Sequence, residues 1–169
     1  TMTCLAATQV GGGPKSCSWG CLGLGDCDRA CDFDAITMDR HDLPVVDEGR
    51  CTACGDCVDA CPKTLFSLQP VNRRLWVACR NEDRGDTVVE QCAVACTACE
   101  RCVADAPPGL IHMHNNLPVV DYERDHQTRE PIERCPTGAI VWLDENHGAL
   151  RGTASGPVLR HAALPDIPT

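Results

Sequence analysis

The chain has 169 residues, 24 acidic against 15 basic side chains, a formal net charge of −9 and only 4% aromatic residues. It lacks the material for a large ordinary apolar core, is too acidic for a nucleic-acid binder, and holds no apolar run long enough to span a membrane. Fifteen cysteines stand where that core is missing; their number is odd and most fall at metal-type spacings, which points to a reducing, cytoplasmic setting rather than a secreted disulfide scaffold.

Residues 1–16 read as an irregular N-terminal arm, with Gly11, Gly12, Gly13 and Pro14 and no sustained period. The glycines do not make a phosphate loop, because no strand precedes them and no G-K-[ST] follows. Cys4 is isolated from every cysteine group and reads as a spare thiol. Cys17, Cys21, Cys27 and Cys31 come next, with Leu24 where the middle cysteine of a C-x2-C-x2-C run would sit and Cys17 making up the number. Residues 35–38 and 43–47 read as short strands around a turn. Then come Cys51, Cys54, Cys57, Cys61 and Pro62, at C-x2-C-x2-C-x3-C-P spacing. Three thiolates at that spacing hold one [4Fe–4S] cluster, and the fourth reaches the neighbouring cluster. By that rule one cluster takes Cys17, Cys21, Cys27 and Cys61, and a second takes Cys51, Cys54, Cys57 and Cys31. Residues 17–70 are therefore expected to form a two-cluster, ferredoxin-like module.

Residues 71–91 read as a linker that contains one strand at Leu75, Trp76 and Val77, and Cys79. From residue 92 the pattern repeats. Leu117-Pro118-Val119-Val120-Asp121 copies residues 43–47, Cys135-Pro136 copies Cys61-Pro62, and Cys92, Cys96 and Cys102 copy Cys17, Cys21 and Cys27. Cys99 restores the middle cysteine. In contrast, Ala106, Asp125, Thr128 and Pro131 stand where the copy of the second cluster would need Cys31, Cys51, Cys54 and Cys57. One whole ligand set is gone while Cys96, Cys99, Cys102 and Cys135 remain. The expectation is a degenerate module over 92–147 with a third [4Fe–4S] cluster and no fourth.

Cys79 and Cys92 fall outside the three sets and read as buried or free thiols. Cys92 is the better substitute ligand, because its spacing to Cys96 copies that of Cys17 to Cys21. His112 and His114 share one face of a strand but lack the further ligands that zinc requires. Trp19, Trp76 and Trp142 read as core or cluster shielding. Residues 148–169, rich in Pro, Gly and Ala, read as an extended C-terminal tail. The expected fold class is α+β: two tandem bacterial-ferredoxin-like modules, with short hairpins and short helices wrapped around three clusters.

No Ser/His/Asp set, carboxylate pair or phosphate loop emerges. Every iron in the three sets has a protein ligand, which fits electron transfer rather than catalysis at an open iron. Residues Cys17-x3-Cys21-Leu-Gly-Leu-Gly-Asp-Cys27, Asp34-Ala35-Ile36, Leu43-Pro44-Val45-Val46-Asp47, Cys51-Thr-Ala-Cys54-Gly and Ala60-Cys61-Pro62-Lys63 resemble the B-type subunit of the Rnf electron-transport complex, over about residues 17–143. The resemblance implies a polyferredoxin that passes electrons between a flavin or ferredoxin partner and further redox subunits. The membrane anchor and separate N-terminal cluster region of that family have no counterpart in the sequence. The expectation is thus a cytoplasmic relative, not an enzyme on its own, that serves as the electron-transfer subunit of a hetero-oligomeric oxidoreductase complex. The small polyferredoxin subunits of tungsten-dependent aldehyde oxidoreductases are a similar setting. Its partners would be flavin- or metal-containing subunits or a ferredoxin. A free ferredoxin shuttling among partners and a structural zinc protein are the two alternatives.

Overall fold

Glycine, proline and cysteine interrupt every apolar run, so the elements are short. The computed structural model describes residues 1–83 and 85–156. In chain order they form α1 (Cys4–Gln9), α2 (Asp26–Arg29), β1 (Ile36–Met38), β2 (Pro44–Val46), α3 (Asp56–Ala60), β3 (Leu75–Val77), α4 (Gly85–Gln91), α5 (Arg101–Asp105), β4 (Ile111–His114), β5 (Leu117–Val120), α6 (Glu130–Glu133), β6 (Ile140–Asp144) and β7 (Gly148–Leu150). This mixture of helix and strand divides into two compact units, Thr1–Pro70 and a second that begins at Val71.

In the first unit β1 and β2 form an antiparallel hairpin, with Ile36 opposite Val46 and Met38 opposite Pro44. Helices α2 and α3 pack on each other. Single-turn helices have no stability of their own and depend on such packing. The segment 1–16 is not irregular throughout. The Thr3 hydroxyl accepts the Ala6 N–H at 3.1 Å and caps α1. Ala7 is fully buried, and the Leu5 N–H donates to Asp26 Oδ2 at 3.2 Å. One alanine and one remote carboxylate anchor this helix, and neither leaves a periodic signature.

The second unit repeats the order helix, hairpin, helix in α5, β4–β5 and α6, and adds a three-stranded sheet in the order β3-β6-β7. The β4–β5 hairpin turns at Asn115 and Asn116, both at positive φ (46° and 64°), as a two-residue turn requires. Residues 71–91, expected to link, instead supply structure to this unit. Strand β3 pairs antiparallel with β6, Leu75 opposite Trp142 and Val77 opposite Ile140. Leu75 has no exposed surface and packs in a core with Leu110, Ile111, Val120, Ile132 and Ile140. Its partner strand lies at the other end of the unit's sequence, so no local pattern announces the pairing.

The extended tail also needs correction. Residues 148–150 form β7, antiparallel to β6. Residues 152–156 strap back over α6. The Ala154 N–H donates to the Glu133 carbonyl and the Gly156 N–H to the Pro136 carbonyl, each at 3.0 Å. The Thr153 N–H and hydroxyl both donate to Glu133 Oε2, at 3.1 and 3.0 Å. The remainder of the expected tail, residues 157–169, lies outside the described residues.

Two side chains satisfy the backbone of Leu75. The Tyr122 hydroxyl donates to its carbonyl at 2.8 Å, and its N–H donates to His126 Nδ1 at 3.2 Å. The rings of Tyr122 and His126 lie 5.3 Å apart. Burial holds the His126 pKa below its ordinary value, because an imidazolium there is poorly solvated and has lost its acceptor nitrogen. With the folded pKa depressed, stability is complete above the unfolded pKa of about 6.5 and falls as pH drops through the folded value. Chemical denaturation of the second unit at pH 7.5 and 5.5 is expected to show this loss, and His126→Gln is expected to remove most of it. An equal loss in the variant would assign the effect to another group.

Candidate metal centres

One backbone loop occurs three times. Two residues after Cys21, Cys51 and Cys96 stand Gly23, Ala53 and Ala98, at φ of 77°, 57° and 55°. Each directs its N–H to the preceding cysteine sulfur, at 3.3, 3.4 and 3.4 Å. Two residues further, Gly25, Gly55 and Glu100 adopt positive φ again (74°, 91° and 60°) and start α2, α3 and α5. Those helices deliver Cys27, Cys57 and Cys102. A left-handed conformation costs a non-glycine residue about 1–2 kcal/mol. Ala53, Ala98 and Glu100 bear that cost while successive N–H groups turn inward to face negative charge. Leu24, Cys54 and Cys99 hold equivalent places in the three loops.

In the first unit, Cys31, Cys51, Cys54 and Cys57 line one cavity of about 380 Å³, part of it open to solvent, with Ala35, Ile36 and Leu68 on its walls. In the second, Cys96, Cys99, Cys102 and Cys135 line one of about 350 Å³, with Met113 and Ile140 among its walls. Contacts link parts of the set Cys17, Cys21, Cys27 and Cys61. Cys21 lies within electrostatic reach of Cys27. Lys63 Nζ donates to the Ser18 carbonyl at 2.5 Å and ties the segment after Cys61 to the one after Cys17. Leu65 N–H points at Cys61 Sγ, 3.5 Å away. Cys4, which the sequence left isolated, is also within electrostatic reach of Cys27, through the docking of α1 beside Asp26.

Cys79 stands behind the cavity of the second unit, where its sulfur accepts the Cys96 N–H at 3.4 Å. No spacing rule finds it, because β3 carries it there from a distant part of the sequence. Cys92 closes α4, with its N–H on the Val88 carbonyl, and does not line that cavity. His112 and His114 are exposed on β4. The four positions that lack cysteine have other occupations. Asp125 pairs with Arg73 at 3.0 Å. The Thr128 hydroxyl accepts the Glu130 N–H at 3.2 Å. Pro131 is buried in α6, and Ala106 packs against the core.

Burial pushes the Cys27 and Cys96 thiols up to about 11 and Cys102 to about 12. Those side chains are thiols at neutral pH, so a bound metal must itself draw off their protons. Cys135 moves the other way. Burial acts to raise its pKa, but hydrogen bonds from the Ile140, Thr137 and Ala139 backbones outweigh it. Among the described residues no three His, Cys, Asp or Glu side chains converge on one metal-ion position. A zinc ion draws its thiolates to about 2.3 Å. Four cysteines on the walls of one cavity, three of them delivered by one loop and helix, fit the ligand set of a metal cluster.

Residues 16–65 match the model of the 4Fe-4S dicluster domain family. Among curated proteins, the chain is similar to the subunits designated B of three ion-pumping complexes. It is 40% identical over 139 residues to that of the Na(+)-translocating ferredoxin:NAD(+) oxidoreductase complex of Acetobacterium woodii, covering 82% of this chain and 42% of the relative. It is 41% identical to that of the proton-translocating ferredoxin:NAD(+) oxidoreductase complex of Clostridium ljungdahlii, over 81% of this chain and 49% of the relative. It is 35% identical to that of the ion-translocating oxidoreductase complex of Methanosarcina acetivorans, over 81% and 52%. The chain thus spans about half the length of the curated relatives it matches. Among the described residues no helix is long and apolar enough to cross a membrane.

Proposed function

We propose that the chain, as a member of the Rnf B-type iron–sulfur subunits to which it is 35–41% identical over most of its own length, relays single electrons within a larger oxidoreductase complex. The observation that carries this reading is the pair of four-thiol cavities. Each gathers three cysteines of one run with a fourth from the other side of its unit, as exchanged cluster ligands require.

Three [4Fe–4S] clusters in two tandem ferredoxin-like modules of α+β type is the finer reading. Cys17, Cys21, Cys27 and Cys61 would hold the first, Cys51, Cys54, Cys57 and Cys31 the second, and Cys96, Cys99, Cys102 and Cys135 the third. Bound there, each cluster supplies one-electron chemistry. The chain's own residues ligate it, aim N–H groups at its sulfurs and wall it with apolar side chains, and these set its potential. The engagement of Asp125 with Arg73 and the burial of Pro131 speak against a fourth cluster. With all irons ligated, the chain is not an enzyme alone. It acts in the cytoplasm in a hetero-oligomer with flavin- or metal-containing subunits or a ferredoxin.

Anaerobic reconstitution followed by iron, sulfide and zinc analysis tests this. About twelve irons and as many sulfides per chain are expected. About sixteen would restore the fourth cluster, and zinc without sulfide would end the electron-transfer reading.

A further inference from the structure

The two cavities differ in how they meet the solvent. In the second unit Cys102 and Cys135 are buried and Cys99 is exposed. In the first unit both Cys51 and Cys54 are exposed at the mouth of their cavity. Around that mouth stand Phe33, Val46 and Leu68, large apolar side chains that are 46%, 40% and 55% exposed. Asp32 and Asp34 flank Phe33 in the chain, and Asp56 lines the cavity itself. All three carboxylates are exposed, and none has an ion-pair partner among the described residues. Residues 1–70 carry ten acidic against five basic side chains.

We propose that the mouth formed by Cys51 and Cys54 is the port through which electrons pass to or from an external redox protein, one that presents an apolar centre around its own redox group and a basic rim. The proposal rests on the electron-transfer reading above. Exposed thiolates bring the second cluster close to a docked partner's redox group. Phe33, Val46 and Leu68 exclude water from the contact, and the unpaired carboxylates steer a cationic partner to it. An interface with this division of labour has an association rate that salt depresses and a contact that salt leaves alone.

The test uses the full reconstituted chain, reduced anaerobically and mixed in stopped flow with two probes, cationic cytochrome c and the anion ferricyanide. Asp32→Asn/Asp34→Asn/Asp56→Asn is expected to slow cytochrome c reduction about tenfold at low ionic strength and to flatten its salt dependence. The same variant reduces ferricyanide no more slowly than the parent. Phe33→Ser/Leu68→Ser is expected to slow cytochrome c at all salt concentrations. Glu123→Gln, an exposed carboxylate of the second unit that lines neither cavity, serves as the control and is expected to change neither rate. Wild-type rates in the triple Asp variant overturn the proposal, and so does a larger effect from Glu123→Gln. A chain that binds no iron and sulfide fails the electron-transfer reading itself, before any rate is measured.

Discussion

Replacing Cys135 with serine is expected to remove about four of the roughly twelve irons that the three-cluster reading assigns to the chain, and to leave the others in place. Cys135 is 8% exposed and is the remote fourth thiol on the wall of the second unit's cavity. Backbone hydrogen bonds around it hold its pKa below the ordinary thiol value in spite of its burial. A serine oxygen is a harder and far less acidic ligand, and the buried site gives it no water to share the load. The exchanged-ligand rule confines the damage, because neither set in the first unit uses Cys135. Iron analysis with electron paramagnetic resonance of the reduced chain reads the result as the loss of one signal. Cys92→Ser is expected to keep all the iron, since Cys92 does not line the cavity. Full iron retention in Cys135→Ser would refute the ligand set, and the loss of about eight irons would show that the sets are coupled across the units.

Gly152→Ala is expected to destabilise the second unit by more than about 3 kcal/mol, at the diagnostic end of single-substitution effects. A Cβ on Gly152 would lie 2.6 Å from Glu133 Cα and would overlap the Ile132 carbonyl oxygen. Both obstacles are backbone atoms of α6, which cannot swing aside as a flexible side chain would. Accommodation must lift the strap, breaking the bonds from Thr153 and Ala154 to Glu133, or displace α6, whose Ile132 is 1% exposed in the core. Gly156 has nothing within 4 Å of its would-be Cβ, so Gly156→Ala is expected to stay within about 0.5 kcal/mol of the parent. Denaturation monitored on the second unit separates the two. A parent-like midpoint for Gly152→Ala would mean that the strap does not close on α6 in solution. Cys135 follows directly after α6 and Arg134, so the same substitution is expected to loosen the third metal site.

The loops that carry the cysteine runs were legible because their chemistry is local. Cysteine spacing fixes which thiols share a loop, and the placement of Leu24 opposite Cys54 and Cys99 followed from spacing alone. The fourth member of a set needs a rule about exchange, yet Cys31 and Cys135 each line the cavity that the rule names. Non-local packing is what escaped. Strand β3 is three residues long and finds its partner in β6, α1 is held by Ala7 and the Asp26 carboxylate, and the strap depends on one glycine against α6. None of these leaves a period or a motif. The closeness of Cys79 to Cys96 is equally hidden from spacing, since Cys79 follows just after β3 and its pairing with β6.

Leu75, held by Tyr122 and His126, gives the second unit a dry interior in which Leu110, Ile111, Val120, Ile132 and Ile140 join it. The first unit buries Ala7, Leu22, Cys27, Ala35 and Ile36, a much smaller apolar set. Burial of apolar surface acts without any metal, whereas a cluster contributes to folding only once it is bound. Metal loading is therefore expected to matter more to the stability of the first unit than to that of the second.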